Sequence, residues 1–374
     1  MADILYMTRI LFERGSSKAL QPHLDQIGIT RPLLVTDAGI VAAGIHERVV
    51  GGLSSQAALA CFCDTPPNPT EQAVHEAVAA YRKGNCDGIL ALGGGSPLDL
   101  AKGVAVALSH SGDLAQYAGM GASKKIGPTV PIVAVPTTAG TGSEVGRGAL
   151  IILRDGRKLL LASEHLLPRL AVCDPELTLG LPRALTVGTG MDALTHCIET
   201  FLSPKFNPPA DAIALDGLAR AWRWIERASN TGADIEARSE MMMAGIQGGL
   251  AFQKGLGAVH ALSHPLGALQ ALNLHHGTLN AVLLPSVLEF NAPACEEKFD
   301  RIRRACDLAP SASLADAVRD LNNRLGVPST LSSLGVTPDM FEHIVDGALA
   351  DHSLPTNPRP LDRASLRALL DTVA

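Results

Sequence analysis

The stretch CDGILALGGGSPLDLAKGVAVALSH, residues 86–110, constrains the fold more than any other. It runs from an apolar strand, through a glycine turn, into a helix. The rest of the first half repeats that alternation. Residues 32–39 (PLLVTDAG) read as a buried strand ending in a turn. Residues 51–70 hold a short helix, a strand and a Pro/Asn turn. Residues 71–85 have helical periodicity that stops at Gly84, and residues 131–145 (PIVAVPTTAGTGSEV) are a strand followed by a Gly/Thr loop. Alternating β and α elements predict an α/β domain, a Rossmann-like parallel sheet with helices on both faces.

The pattern changes near residues 174–182. Beyond it the periodicity predicts helices over 184–203, 210–229, 233–252, 258–272, 278–290, 296–308, 313–325, 338–350 and 362–373. The expected domains are therefore residues 1–181, α/β, and residues 182–374, all-helical. A chain of 374 residues is long enough for two cores.

Hydrophobic residues make up 47% of the chain but aromatics only 3%, so aliphatic side chains must fill both cores. The net charge of −6 comes without a long basic block, which argues against nucleic-acid binding. Seven cysteines without paired-finger spacing read as reduced, mostly buried thiols. The N-terminus lacks signal-peptide features, and no apolar run reaches the ~18–20 residues a membrane span needs. A cytoplasmic globular protein is expected.

Gly93-Gly94-Gly95-Ser96-Pro97 follows a strand and opens a helix. Glycines let a diphosphate approach the backbone, and the helix N-terminus favours an anion. Ser96 suits the N-cap, Pro97 the first helical position and Asp99 the third residue beyond the cap. A well-capped tight turn would look the same. A second loop, residues 136–144, also follows a strand and supplies Thr137 and Thr138. Two such loops at one sheet edge point to a nucleotide. Asp37 ends the strand PLLVTD, where a carboxylate accepts from ribose hydroxyls and repels a 2′-phosphate, favouring NAD over NADP; an Asx turn into Gly39 is the plainer account.

The segment 255–291 carries His260, His264, His275 and His276 in otherwise apolar, Gly-punctuated sequence, and Asp192 and His196 lie four apart upstream. Residues four apart share a helix face. Buried imidazoles beside a carboxylate are costly unless satisfied. One divalent ion satisfies all of them, and nitrogen and oxygen ligands without thiolate suit Fe²⁺, Zn²⁺, Ni²⁺ or Mn²⁺. A single such histidine would more often be an ordinary core residue. His276 precedes Gly277, at an expected break between helices. Cys197 points elsewhere on its helix.

The motifs GGGSPLDLAK, PTTAGTGSEV, GMDALTHCIE and GLGAVHALSHPLG followed by HHGTLNAVLLP together resemble the iron-containing (group III) alcohol dehydrogenase family, over nearly the whole chain. The resemblance implies the dehydroquinate synthase-like architecture of that family, a metal-dependent oxidoreductase that moves a hydride between NAD and a small alcohol or aldehyde, and a homodimer or larger homo-oligomer. It implies Fe²⁺, with Zn²⁺ as the alternative, on Asp192, His196, His260 and His276. It sets His264 near the nicotinamide as a proton relay. Asp37, Asn68, Gly94, Gly95, Ser96, Asp99, Thr137, Thr138 and Lys158 match cofactor-contacting positions, and Phe252 lines the substrate pocket or simply packs in the core. The family often has Pro-His-Gly where this chain has His275-His276-Gly277.

A hydroxy-acid dehydrogenase, for example one acting on 4-hydroxybutyrate, fits the same residues. A maleylacetate reductase-like enzyme has an altered ligand set, against which the Asp192/His196 pair argues. A lyase of the dehydroquinate synthase type needs several basic residues around a phosphorylated substrate, and only Lys254 stands out near the histidines. A catalytically silent nucleotide-binding protein would show a decayed site. The stretch 351–361 (DHSLPTNPRPL) resembles a family C-terminal loop and is assigned no catalytic role.

Overall fold

The computed structural model describes residues 4, 6, 8–53, 59–119 and 121–374. The short helix expected near residues 51–58 falls largely outside them. The chain forms two compact units, one of Tyr6–Thr138 and Ser143–Gly180, the other of Leu181–Ala374 with Ala139–Gly142 and the N-terminal end.

The first unit is built on six parallel strands, β1 (Arg9–Phe12), β2 (Pro32–Val35), β3 (Ala60–Phe62), β4 (Gly88–Gly93), β5 (Ile132–Pro136) and, after a separate hairpin, β8 (Leu170–Cys173). Their order is β1-β8-β5-β4-β2-β3. Successive side chains alternate between faces. Leu33, Val35, Ile89, Ala91, Ile132 and Ala134 pack on one face with α4 (Glu71–Lys83) and α5 (Gly95–Ser109). Leu34, Leu90, Leu92, Val133, Val135 and Val172 pack on the other with α1 (Gln21–Ile27) and α3 (Ile45–Val50). A short α2 (Ala38–Ala42) follows β2. Helices on both faces make the central strands apolar on both sides, which is why ILAL and IVAV read as continuous runs.

Four strands have no counterpart in the sequence reading. β1 and β8 are short partners on one side of the sheet. β6 (Gly148–Ile152) and β7 (Lys158–Ala162) form the antiparallel hairpin, in register Gly148–Ala162 to Ile152–Lys158. Its turn closes through Leu153 N–H donating to Arg157 O at 2.9 Å, with Gly156 at φ 83°. An Asp-Gly dipeptide is a hairpin signal, and Asp155-Gly156 carries it.

The second unit is helical: α6 (Arg183–Leu202), α7 (Pro208–Asn230), α8 (Ile235–Ala251), α9 (Ala258–Gly267), α10 (His276–Asn291), α11 (Glu296–Ala305), α12 (Leu314–Leu325), α13 (Phe341–Leu349) and α14 (Arg363–Asp371). Every residue of α6 from Thr186 to Leu202 is buried. A helix buried on all sides is a core helix, and α7, α8 and α10 pack around it. α7 starts where Asn207 accepts from Ala210 N–H at 3.2 Å and Pro208 and Pro209 fill the first turn. Among the described residues no helix is long and apolar enough to cross a membrane.

Candidate functional site

Asp192 and His196 sit one turn apart on α6, both buried. His260 comes from α9 and His276 from the first turn of α10. Their convergence has a steric origin. A Cβ on Gly277 would lie 2.0 Å from the carbonyl oxygen of Gly188, so only glycine lets α10 begin against α6 there. Asp192 Oδ1 is then 3.6 Å from His196 Nε2, 3.7 Å from His260 Nε2 and 3.6 Å from His276 Nε2. Bonds of about 2.1 Å at tetrahedral angles hold neighbouring ligand atoms about 3.4 Å apart. Asp192, His196 and His260 thus have the chemistry and the spacing to hold a divalent metal, and His276 lies beside the same carboxylate oxygen. His275 instead caps α10, its Nδ1 accepting from Thr278 N–H at 3.3 Å.

Burial opposes ionisation of Asp192, but the His196, His276 and His260 rings outweigh it and hold the carboxyl far below the usual range. His196 goes the other way, pushed down to about 4 chiefly by burial. At His260 burial also pushes down, yet hydrogen bonds to Asp192 and Glu199 raise it to about 9.

Two residues of this cluster were absent from the sequence reading. Glu199 Oε2 is 2.6 Å from His260 Nδ1, and its Oε1 accepts from Val259 N–H at 2.7 Å. A carboxylate on Nδ1 fixes the tautomer that presents Nε2 to a metal. Glu199 follows Asp192 by seven and His196 by three, so the helix-face spacing that picked out the pair also points to it. Asn280, fully buried, donates from Nδ2 to Asp192 Oδ1 at 2.8 Å, one turn beyond His276.

His264, one turn after His260, has its ring centroid 5.7 Å from His260 and 5.5 Å from His276. Its Nδ1 is 2.8 Å from Asp351 Oδ2. Burial opposes ionisation of Asp351, but His264 holds the carboxyl well below the usual range. The C-terminal loop that was assigned no role therefore supplies the partner of His264. His352 stacks on His264 at 5.4 Å. Phe252, half-buried in the turn after α8, meets His196 edge-on at 5.4 Å. Cys197 is buried with its sulfur toward Gly217 of α7. Lys254 is buried, its Nζ donating to Asp211 and to the Phe201 carbonyl.

In the first unit the loops after β2, β4 and β5 lie together at the carboxyl end of the parallel strands. Thr137 N–H donates to Gly93 O at 3.0 Å. A Cβ on Gly94 would come within 3.3 Å of the Thr138 side chain, which packs over this turn. The Thr137 and Thr138 hydroxyls are buried without a hydrogen-bond partner. Unpaired buried hydroxyls beside a glycine turn are groups that a bound polar molecule would satisfy. Lys158 Nζ donates to Asn68 Oδ1 at 2.8 Å, joining two further candidates. Asp37 accepts from Ile40 N–H at 3.0 Å as the N-cap of α2, while its second oxygen lies beside Gly93.

Helix α5 begins earlier than expected. Its N-cap is Gly94, so Gly95 and Ser96 are helical and Pro97 falls third. Proline is tolerated there because the N–H groups of a first turn have no intrahelical partner. Ser96 Oγ donates to Pro67 O instead of capping. Asp99 accepts from Ser143 Oγ at 2.6 Å and from Leu150 N–H at 2.9 Å, so both its oxygens tie α5 to the next loop and to β6.

Residues 7–175 match the iron-containing alcohol dehydrogenase family and residues 186–374 the C-terminal part of the Fe-containing alcohol dehydrogenase family. The chain is 53% identical to 4-hydroxybutyrate dehydrogenase of Cupriavidus necator over 99% of both chains. It superposes on the crystal structure of 1,3-propanediol oxidoreductase with a TM-score of 0.94, at 35% identity and covering 100% of both. It also superposes on sulfoacetaldehyde reductase from Bifidobacterium kashiwanohense in complex with NAD+, with a TM-score of 0.88, 28% identity and coverage of 100% and 99%. With four motifs in order and both halves matched, this chain belongs to the iron-containing alcohol dehydrogenase family and is an oxidoreductase.

Proposed function

We propose that the chain is an NAD-linked, iron-dependent dehydrogenase of a short ω-hydroxy acid, 4-hydroxybutyrate in the first instance. The observation that carries the redox reading is the convergence of His196, His260 and His276 on Asp192 Oδ1. The substrate reading rests on likeness to the Cupriavidus enzyme over the full chain. The reaction turns the terminal alcohol into an aldehyde: the carbon loses a hydride to the nicotinamide and the hydroxyl loses a proton.

Asp192, His196, His260 and His276 would hold a divalent cation, which would supply Lewis acidity to the substrate oxygen, and a bound dinucleotide would supply the hydride acceptor. The remaining roles belong to side chains. Glu199 orients His260, and Asn280 holds Asp192. Asp351 fixes His264 with Nδ1 engaged and Nε2 available, so that His264 takes the hydroxyl proton and passes it on. Phe252 keeps the site beside His196 apolar. In the first unit, the backbone at Gly94, Gly95 and Ser96 receives the diphosphate, Thr137 and Thr138 gain partners for their hydroxyls, and Asn68 and Lys158 complete the pocket. Asp37 favours NAD over NADP. Asp99 serves this pocket through the loop it holds. The seven free thiols suit a reducing compartment, the cytoplasm.

The test is NADH formation by purified protein with 4-hydroxybutyrate, 1,3-propanediol and 1-butanol, before and after chelation and after reloading with Fe²⁺ or Zn²⁺. Turnover is expected to be highest with 4-hydroxybutyrate, to vanish on chelation and to return with Fe²⁺. Turnover that survives complete metal removal would contradict the proposal.

A further inference from the structure

We propose that His352 receives the carboxylate of the substrate and thereby sets a preference for ω-hydroxy acids over plain alcohols. The inference rests on the dehydrogenase reading above. The rings around Asp192 are not equally enclosed. Side chains of His196, His260 and His264 are 6%, 1% and 3% exposed, whereas those of His276 and His352 are 25% and 29% exposed. The accessible side of the cluster therefore carries His276 and His352.

His264 lies between those two rings. It stacks on His276 at 5.5 Å with the planes 10° apart and on His352 at 5.4 Å with the planes 15° apart. A substrate whose hydroxyl sits at the His276 end and whose chain follows this stack brings its other end to His352. An ω-hydroxy acid has a carboxylate at that end, and a carboxylate leaving water needs a donor.

The enclosed donors nearby are committed, while Lys205, close enough to act on His352, lies exposed. Lys254 holds Asp211 and the Phe201 carbonyl, and Lys298 holds the carbonyls of Leu202 and Ser203. The Nε2 atoms of His196, His260 and His276 face Asp192, and His264 is bonded to Asp351. His352 has Asp351 Oδ1 3.6 Å from its Nδ1, which turns Nε2 away from that carboxylate. Burial holds the ring's pKa down to about 4, with Asp351 opposing the shift and His264, His260 and Lys205 adding to it. A carboxylate arriving at Nε2 puts the ring between two anions. That favours the imidazolium and a charge-assisted hydrogen bond.

The test compares wild type, His352→Leu and His352→Gln, as metal-loaded full chains with NAD+, on 4-hydroxybutyrate and on 1-butanol, which has the same carbon chain without the carboxylate. The ratio of kcat/KM for the acid to that for the alcohol is expected to fall about tenfold or more in His352→Leu, mostly through KM, and less in His352→Gln, which keeps a neutral donor. Butyrate, which offers the carboxylate alone, is expected to inhibit 1-butanol oxidation by wild type and to do so much more weakly in both variants. If His352→Leu does not fold, His352→Gln and the butyrate competition decide. An unchanged ratio, or butyrate inhibition equal in wild type and variants, overturns the role of His352. Wild type that oxidises 1-butanol but not 4-hydroxybutyrate overturns the substrate reading itself.

Discussion

Glu199 shows how one residue governs another's chemistry. Its two oxygens are committed to the Nδ1 of His260 and to the Val259 backbone. Replacing it by glutamine removes the negative charge and leaves at most one of those bonds intact. Partners of this kind typically change metal affinity by about 10–100-fold. Glu199→Gln is therefore expected to weaken metal binding by that factor, measured by competition with a chelator, while the melting temperature of the chelated protein changes little. A large loss of stability with unchanged metal affinity would make Glu199 a packing residue. Asp192 and His196 were readable because both bear chemistry and lie one turn apart. Asp351 was not readable, because its partner His264 is far away in the chain and only the fold joins them. At His275-His276 the two rings do different things: His275 caps α10, and His276 Nε2 lies 3.6 Å from Asp192 Oδ1.

At the scale of elements, the periodic helices of the second unit were read closely, and so were β2, β4 and β5. β1 and β8, each as long as β2, were not read, and the β6–β7 hairpin escaped because its Asp-Gly turn was passed over. That hairpin completes a buried polar knot. Lys102, on α5, is fully buried, and its Nζ donates to Ser143 O and Oγ, Gly146 O and Gly148 O at 2.7–2.9 Å. Burial lowers Lys102 to about 8 and raises the neighbouring Glu144 to about 7. The folded pKa of Glu144 lies above its ordinary value of 4.5. Folding therefore favours the protonated form, and that contribution is present below about pH 4.5 and lost as pH rises through about 7. Glu144→Gln, which stays neutral, is expected to remove that loss. Relative to wild type, the variant gains stability at pH 8, by up to ~3 kcal/mol before allowing for the lost attraction to Lys102, and gains little at pH 4.5. Denaturant melts at both pH values measure this. A gain of equal size at both would show that Glu144 does not titrate between them.

At the scale of the molecule, two cores imply two separable ligand responses. The sequence reading puts the boundary where β/α alternation gives way to helical periodicity, and it did not expect Ala139–Gly142 to group with the helical unit. The proposed metal ligands all lie on α6, α9 and α10, and the proposed dinucleotide contacts all lie in the sheet unit. A ligand that binds only the native state stabilises it by RT ln(1 + [L]/Kd), about 2.7 kcal/mol at a hundredfold excess over Kd. Chelation is expected to remove that increment where the ligand sits. In hydrogen-exchange mass spectrometry, amides of α6, α9 and the first turns of α10 should exchange faster after metal removal, while those of β2, β4 and β5 stay unchanged. NAD+ should slow exchange at residues 93–97 and 137–138 in metal-loaded and chelated protein alike. Its Kd in the two should agree within about threefold, because a factor of that size is under 1 kcal/mol and no ligand of one group belongs to the other. Loss of NAD+ binding on chelation would show that the metal organises both units, and faster exchange in β4 after chelation would show the same from the structural side.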